Sequence, residues 1–283
     1  MTLETLEHFR NQLIHDEKSK ATIEKYMRDV LKFYRYLNEN PITKERIIEY
    51  KQNLIQSYEP SSVNSMLASI NAYLKIMELS NYTVKTLKIQ HQTFRDPRRE
   101  LTKEEYFRLL KTAKSNKNTR LYLIMQTICS TGIRVGELPF ITVEALAMGK
   151  TKVHFKGKTR IILLPKELCK ELKQYVKCKK IQSGSIFITR NGKNVDRSNI
   201  LHEMKALCSQ ANVSKEKVFP HNLRHLFACL YYKSVRDLSR LADILGHSNV
   251  NTTRIYTSVS GNEQLRQIEQ LGLVWPYKMR QTT

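Results

Sequence analysis

The first eighty residues carry apolar side chains every three or four positions. From Thr22 to Asn38 the apolar set is Ile23, Tyr26, Val30, Tyr34 and Leu37, the stripe of one helix packed on a core. Lys20, Lys25, Arg28, Lys32 and Arg35 fall off that stripe and form a basic face. A second helix is predicted from about Thr43, with Ile47, Ile48 and Leu54 inward. A third follows Pro60-Ser61-Ser62, burying Val63, Met66, Leu67, Ile70, Tyr73, Leu74 and Met77. The serines suit N-caps. With an N-terminal helix these make a four-helix bundle over residues 1–85. The period lapses between Asn81 and Glu100, a polar, basic stretch broken by Pro97. Residues 86–100 are expected to be a linker, either a solvated connector or a segment lying along a phosphate backbone.

A second domain is expected over residues 101–260. Thr102 and Glu105 have capping-box spacing. The apolar run LYLIMQTICS predicts a helix ending at Thr131-Gly132. KVHF and RIILL flank Lys156-Gly157-Lys158-Thr159, which reads as a β-hairpin with a basic turn. A helix is expected over 166–180, a short strand over 185–189 (SIFIT), and helices thereafter, with turns at Gly192, Pro220, Gly246 and Gly261. The fold class is therefore mainly α with a small β-sheet: an N-terminal helical bundle, then a mixed α+β domain, then a tail over 261–283.

A chain of 283 residues, 41% apolar and 26% charged, can fill two cores and is neither fibrous nor globally disordered. Charge changes the picture more. Lys and Arg number 48 against 26 Asp and Glu, a formal +22, which calls for an anionic partner, nucleic acid above all. The N-terminus lacks the apolar core of a signal peptide, and no window reaches the ~18 apolar residues of a spanning helix. The five cysteines form no C-x-x-C pair. They read as reduced thiols of a cytoplasmic protein, with no zinc-site spacing. No cofactor and no metal are expected.

Four strings could carry chemistry. In T-G-I-R-V-G-E-L, an apolar helix ends at Gly132 and Arg134 follows, with Glu137 three residues on, within reach to orient its neighbourhood. Alone, this reads more readily as a helix C-cap with a surface arginine. Lys156 or Lys158 on the hairpin could act as a general acid, although a basic turn alone is ordinary. In P-H-N-L-R-H, His221 and Arg224 share a helix face and suit a phosphate, while His225 points elsewhere and reads as packing or capping. In L-G-H-S-N-V-N-T-T-R-I-Y, His247 precedes Tyr256 by nine residues, and a tyrosine can be a covalent nucleophile.

In this order and spacing the strings resemble the tyrosine recombinases, the phage-type integrases and Xer-like recombinases. The resemblance covers residues 101–260 and, less closely, the bundle, which is similar to the family's SAM-like core-binding domain. It implies that Arg134 and Arg224 clamp the scissile phosphate, that His221 and His247 contact it, and that Tyr256 attacks to form a 3′-phosphotyrosyl link. A hairpin lysine then protonates the leaving 5′-hydroxyl. F-K-G-K-T-R departs from the usual turn, so Lys156 and Lys158 compete, with Lys158 slightly preferred. Ile162 stands where a strand arginine is customary, so Arg160 is expected to supply that phosphate contact. The resemblance also implies double-stranded DNA with short inverted core sites as partner, a dimer on each site and a synaptic tetramer, and a tail packing on a neighbouring protomer. The bundle begins almost at Met1, so no arm-binding module is expected ahead of it. A type IB topoisomerase, an inactive DNA-binding regulator and a metal-dependent nuclease are the rival readings.

Overall fold

The computed structural model describes residues 2–88, 99–155, 158–247, 249–256 and, in the tail, 265–266, 269–271 and 273, with no account of the Phe155 and Lys158 side chains. The chain divides into two compact units, residues 1–92 and 93–283.

The first unit is a bundle of α1 (Leu3–His15), α2 (Lys20–Leu37), α3 (Lys44–Ser57) and α4 (Pro60–Ile76). Each of the first three helices begins at a Thr or Ser whose side chain accepts a hydrogen bond from the first turn, which satisfies an otherwise orphaned N–H. The fourth differs from expectation: Glu59 is the cap and makes no side-chain bond, and Pro60 opens the helix. Its fixed φ and missing N–H suit that position, so Ser61 and Ser62 lie in the first turn instead of capping it. The core holds Phe9, Phe33, Ile47, Val63, Leu67, Ile70 and Leu74, with Phe9 and Tyr73 edge to face at 5.3 Å. Ile48, expected inward, is exposed; it lies one residue past Ile47, about 100° around the helix.

The basic face is smaller than its sequence suggests. Lys25 bonds the Ser65 carbonyl, Ser69 Oγ and buried Asp29, whose Oδ2 lies 3.0 Å from its Nζ. Lys25 is thus committed to the bundle, and Lys20, Arg28 and Arg35 remain exposed on α2. Past α4, Asn71 and Asn64 each clamp a backbone site, at Val84 and Leu87, through both amide atoms. The start of the expected linker is therefore fastened to the bundle; residues 89–98 of it lie outside the described residues.

The second unit runs α5 (Lys103–Ser115), α6 (Thr119–Thr131), a 3-10 turn (Val135–Phe140), α7 (Val143–Met148), β1 (Lys150–Phe155), β2 (Lys158–Leu163), α8 (Lys166–Lys179), α9 (Arg197–Ala206), α10 (Cys208–Ala211), α11 (Pro220–Val235) and α12 (Leu238–Leu245). The capping box forms as expected, with reciprocal bonds between Thr102 and Glu105. The strands pair antiparallel with Val153 opposite Arg160 and Phe155 opposite Lys158, so Lys158 and Thr159 belong to β2 and not to the turn. Residues 185–189 form no strand. Ser185 and Ile188 each make one isolated bridge, to Thr142 and Asn194, because their neighbours are loops and not an extended edge. Ile186 and Phe187 are nonetheless fully buried in the main core. α6 crosses that core with Leu121, Ile124, Met125 and Ile128 inward. Among the described residues no helix is long and apolar enough to cross a membrane.

Candidate active site

Two helix ends build the site. α6 stops at Gly132, whose φ of +66° is left-handed, a conformation natural to glycine. A Cβ there would sit 2.4 Å from the Phe227 ring. α12 stops at Gly246, also left-handed, where a Cβ would meet Arg160 Nη1 at 2.6 Å. The last carbonyls of a helix lack intrahelical donors and carry its negative dipole end. Here arginines supply the donors. Arg224 donates through Nη1 to the Gly132 carbonyl (2.6 Å) and through Nη2 to that of Leu245 (2.7 Å). Arg160 donates to the same Leu245 carbonyl. One backbone oxygen thus joins two guanidinium groups.

Glu137 holds the other side. It is 1% exposed and accepts from the Arg134 backbone N–H (2.7 Å), Arg134 Nη1 (3.1 Å) and Arg160 Nη2 (2.6 Å). Arg134 keeps 37% of its side chain open, whereas Arg224 is 1% exposed. Desolvation first, then repulsion from Arg134 and Arg160, lowers the Arg224 pKa to about 10, so it stays charged at neutral pH. Burial likewise lowers that of Arg160, against the pull of Glu137. Three arginines against one carboxylate give the cluster about two net positive charges. A phosphodiester has one negative charge and gains more on its equatorial oxygens during substitution, so fixed donors here stabilise the transition state most.

His247 Nε2 lies 3.0 Å from Arg224 Nη2, and Nδ1 lies 2.9 Å from Thr253 Oγ1. A guanidinium only donates, so Nε2 is the acceptor of that bond, while Nδ1 faces the hydroxyl of the buried Thr253. Tyr256, on a 3-10 turn from Arg254, is 3% exposed. Burial raises its pKa, and the charge and hydrogen bond of Arg224 oppose the rise; at neutral pH it is a phenol facing a cation. His221, on the first turn of α11, is exposed. Its pKa is lowered by desolvation and by the charges of Arg224, Arg134 and Arg197. For an exposed ring the charges are the firmer cause.

The structure therefore brings together Arg134, Arg224, His247 and Tyr256, with His221 within the field of the arginines. Lys156 lies outside the described residues, as does the Lys158 side chain. Arg160, expected to supply a phosphate contact, is engaged by Glu137 and the Leu245 carbonyl, with 9% of its side chain exposed. His225 packs, as expected. Its partner is the candidate nucleophile, the His225 ring centroid lying 5.1 Å from that of Tyr256. Thr253 was legible only as part of a polar string, and the two carbonyl acceptors leave no mark in side-chain sequence.

The sequence profile of the phage integrase family matches residues 99–263, more than half of the chain. The chain belongs to the phage integrase family. The profile of the N-terminal SAM-like domain of phage integrases matches residues 6–81. Among similar proteins, tyrosine recombinase XerD of Staphylococcus haemolyticus is 31% identical, covering 88% of this chain and 91% of its own. Tyrosine recombinase XerA of Pyrococcus furiosus is 27% identical over 96% and 95%. The crystal structure of XerA recombinase aligns over 96% of this chain and 99% of that one, at 28% identity and a TM-score of 0.53. A lambda integrase dimer bound to a core site aligns over 99% and 100% at 20% identity and a TM-score of 0.73, and shows the shared fold. This integrase-family enzyme is a tyrosine recombinase, which cleaves and rejoins DNA.

Proposed function

We propose that Tyr256 is the nucleophile of site-specific recombination and that Arg134, Arg224, His221 and His247 bind and activate the scissile phosphate. The observation that carries this reading is the buried Tyr256 phenol beside Arg224, itself bonded to His247. The Tyr256 oxygen bonds to phosphorus as the P–O5′ bond breaks. The phenolic proton passes to His221, and a hairpin lysine, Lys158 in preference to Lys156, protonates the departing 5′ oxygen. The phosphotyrosyl ester keeps the bond energy, so the reverse attack by a 5′-hydroxyl rejoins the strand without ATP.

The DNA partner is a duplex with short inverted core sites, bound by a dimer on each site and a tetramer in synapsis. Support comes from the +22 charge and from relatives of this fold solved as a dimer on a core site and a tetramer on a Holliday junction. The layout is a core-binding bundle over 1–85, a linker to 100, a catalytic domain to 260 and a tail that packs on a neighbouring protomer. Exposed Leu265, Leu271 and Leu273 suit that packing. An enzyme of chromosomal or mobile DNA with five free cysteines fits the cytoplasm.

Tyr256→Phe tests the core of the reading. It should bind duplex sites as the wild type does yet form no covalent adduct on a nicked suicide substrate; a persisting adduct would move the nucleophile elsewhere. The pH profile tests His221. Its pKa lies below the ordinary 6.5, so it is a free base at neutral pH and loses that state only as pH falls through the lowered value. Cleavage at sub-saturating DNA, which reports the free enzyme, should be level through neutrality and decline on the acid side. His221→Gln should be slow throughout and lack that acid limb. An unchanged limb would assign the titration to another group.

A further inference from the structure

We infer that His225 is a positioning residue for the Tyr256 nucleophile, held in place by Glu100 from the start of the catalytic unit. The inference rests on Tyr256 being the nucleophile. Tyr256 closes a three-residue 3-10 turn, Arg254–Tyr256. Such turns have poor hydrogen-bond geometry, so the local backbone is a weak means of aiming a phenol. Aim must come from what the ring touches.

Two imidazoles touch it. His247 lies nearly parallel at 6.2 Å between centroids, and His225 lies closer, at 5.1 Å, tilted by 59°. A tilted contact at that distance is a favourable aromatic arrangement, and it restricts rotation of the tyrosine. The His225 ring is held in turn. Its Nδ1 lies 3.4 Å from Cys229 Sγ, one turn along α11. Its Nε2 lies 4.0 Å from Glu100 Oε1, too long for a hydrogen bond and an ion pair only when the imidazole carries a second proton. Neighbouring Asn222 donates to the Arg99 carbonyl at 3.0 Å. α11 therefore carries Arg224 toward the phosphate and His225 toward the nucleophile, with Asn222 bonded to the Arg99 carbonyl and His225 facing Glu100. A ring bonded at Nδ1 and faced by a carboxylate on its Nε2 side can serve as a wall; a freely rotating one cannot. Misplacing a reacting group by about 1 Å can cost about 10²-fold in rate, which sets the scale of the expected effect.

The test is single-turnover adduct formation on a suicide substrate at saturating DNA, run with DNA affinity and thermal unfolding on the full chain. His225→Ala should slow adduct formation by about 10²-fold, with DNA affinity within about twofold of wild type. His225→Phe, which restores a ring but neither nitrogen, should recover part of the rate. Glu100→Gln should slow the wild type and cause no further loss in the His225→Phe background, the non-additivity expected of two groups acting through one contact. His225→Ala cleaving within about threefold of wild type would overturn the inference. So would a Glu100→Gln effect that persists in full beside His225→Phe. If His225→Ala does not fold, the Glu100→Gln and His225→Phe pair decides by the same criterion. A role confined to stability would lower the unfolding midpoint and leave the saturated rate unchanged below it. Tyr256→Phe run alongside separates the failures: an adduct there sinks the assignment of the nucleophile, whereas none there together with fast His225 variants sinks only this inference.

Discussion

Arg224→Ala is expected to slow phosphotyrosyl formation by at least about 10³-fold while leaving most of the DNA affinity intact. The magnitude follows from position. Removing one preorganised donor from a developing oxyanion costs about 10²–10³-fold, and this guanidinium is both a donor and the group that orients His247 and faces Tyr256. The stability consequence is smaller because two effects oppose. Truncation strips donors from the Gly132 and Leu245 carbonyls, and an unsatisfied buried polar group costs about 1–3 kcal/mol. It also removes a charge that burial disfavours, as the fall in pKa to about 10 records, and relief of that desolvation returns part of the loss. Water admitted to the vacated space can bond the carbonyls as well. Activity should therefore collapse with only a modest drop in the unfolding midpoint. Arg224→Lys should stay poor, since one ammonium cannot reproduce a planar fork bonded to three acceptors. An adduct rate within tenfold of wild type for the alanine variant would reduce Arg224 to a strut between two helix ends.

The helices were legible because burial imposes a 3.6-residue period and caps need particular side chains. Val30, Leu67 and Leu74 are buried as their spacing demands, and Thr102 with Glu105 forms its box. Ile48 failed because one residue of phase separates a buried face from an exposed one. SIFIT failed because apolar residues in a loop crossing a core look like those of a short strand. At the site, Arg134, His221, Arg224, His247 and Tyr256 were legible as strings within two or three turns of chain. What escaped was long-range. Glu137 meets Arg160 from 23 residues away, and Leu245 accepts from Arg224 and Arg160 through a backbone oxygen that any residue type possesses. His225 was read as packing away from His221 and Arg224, and it does pack, but its partner, the 3-10 turn bearing Tyr256, could not be seen in the string. Period and motif describe one element at a time; such contacts depend on how elements meet.

The largest loss of stability is expected from Glu137→Ala. Its carboxylate sits beneath two arginines of unequal exposure, and the inequality decides the outcome. Arg134 is 37% open; losing an exposed partner costs about 1 kcal/mol or less. Arg160 is 9% open, and its Nε is already buried without a partner among the described contacts. Without Glu137 it is a buried cation with the Leu245 carbonyl for company, and breaking such a pair costs about 3–5 kcal/mol. Taking about 3 kcal/mol, the second unit's unfolding midpoint should fall by roughly 6–12 °C. Glu137→Gln should unfold at an intermediate temperature: it keeps one acceptor oxygen but turns an amide N–H₂ toward a guanidinium. Chemistry should suffer alongside, because Arg134 loses the bonds that fix its backbone and side chain, whereas DNA affinity should hold or rise as the cluster gains net positive charge. Calorimetry together with suicide-substrate cleavage separates these effects. A Glu137→Ala protein that melts with the wild type would mean Arg160 escapes to solvent when released, and that the carboxylate aims the arginines without being needed to keep them buried.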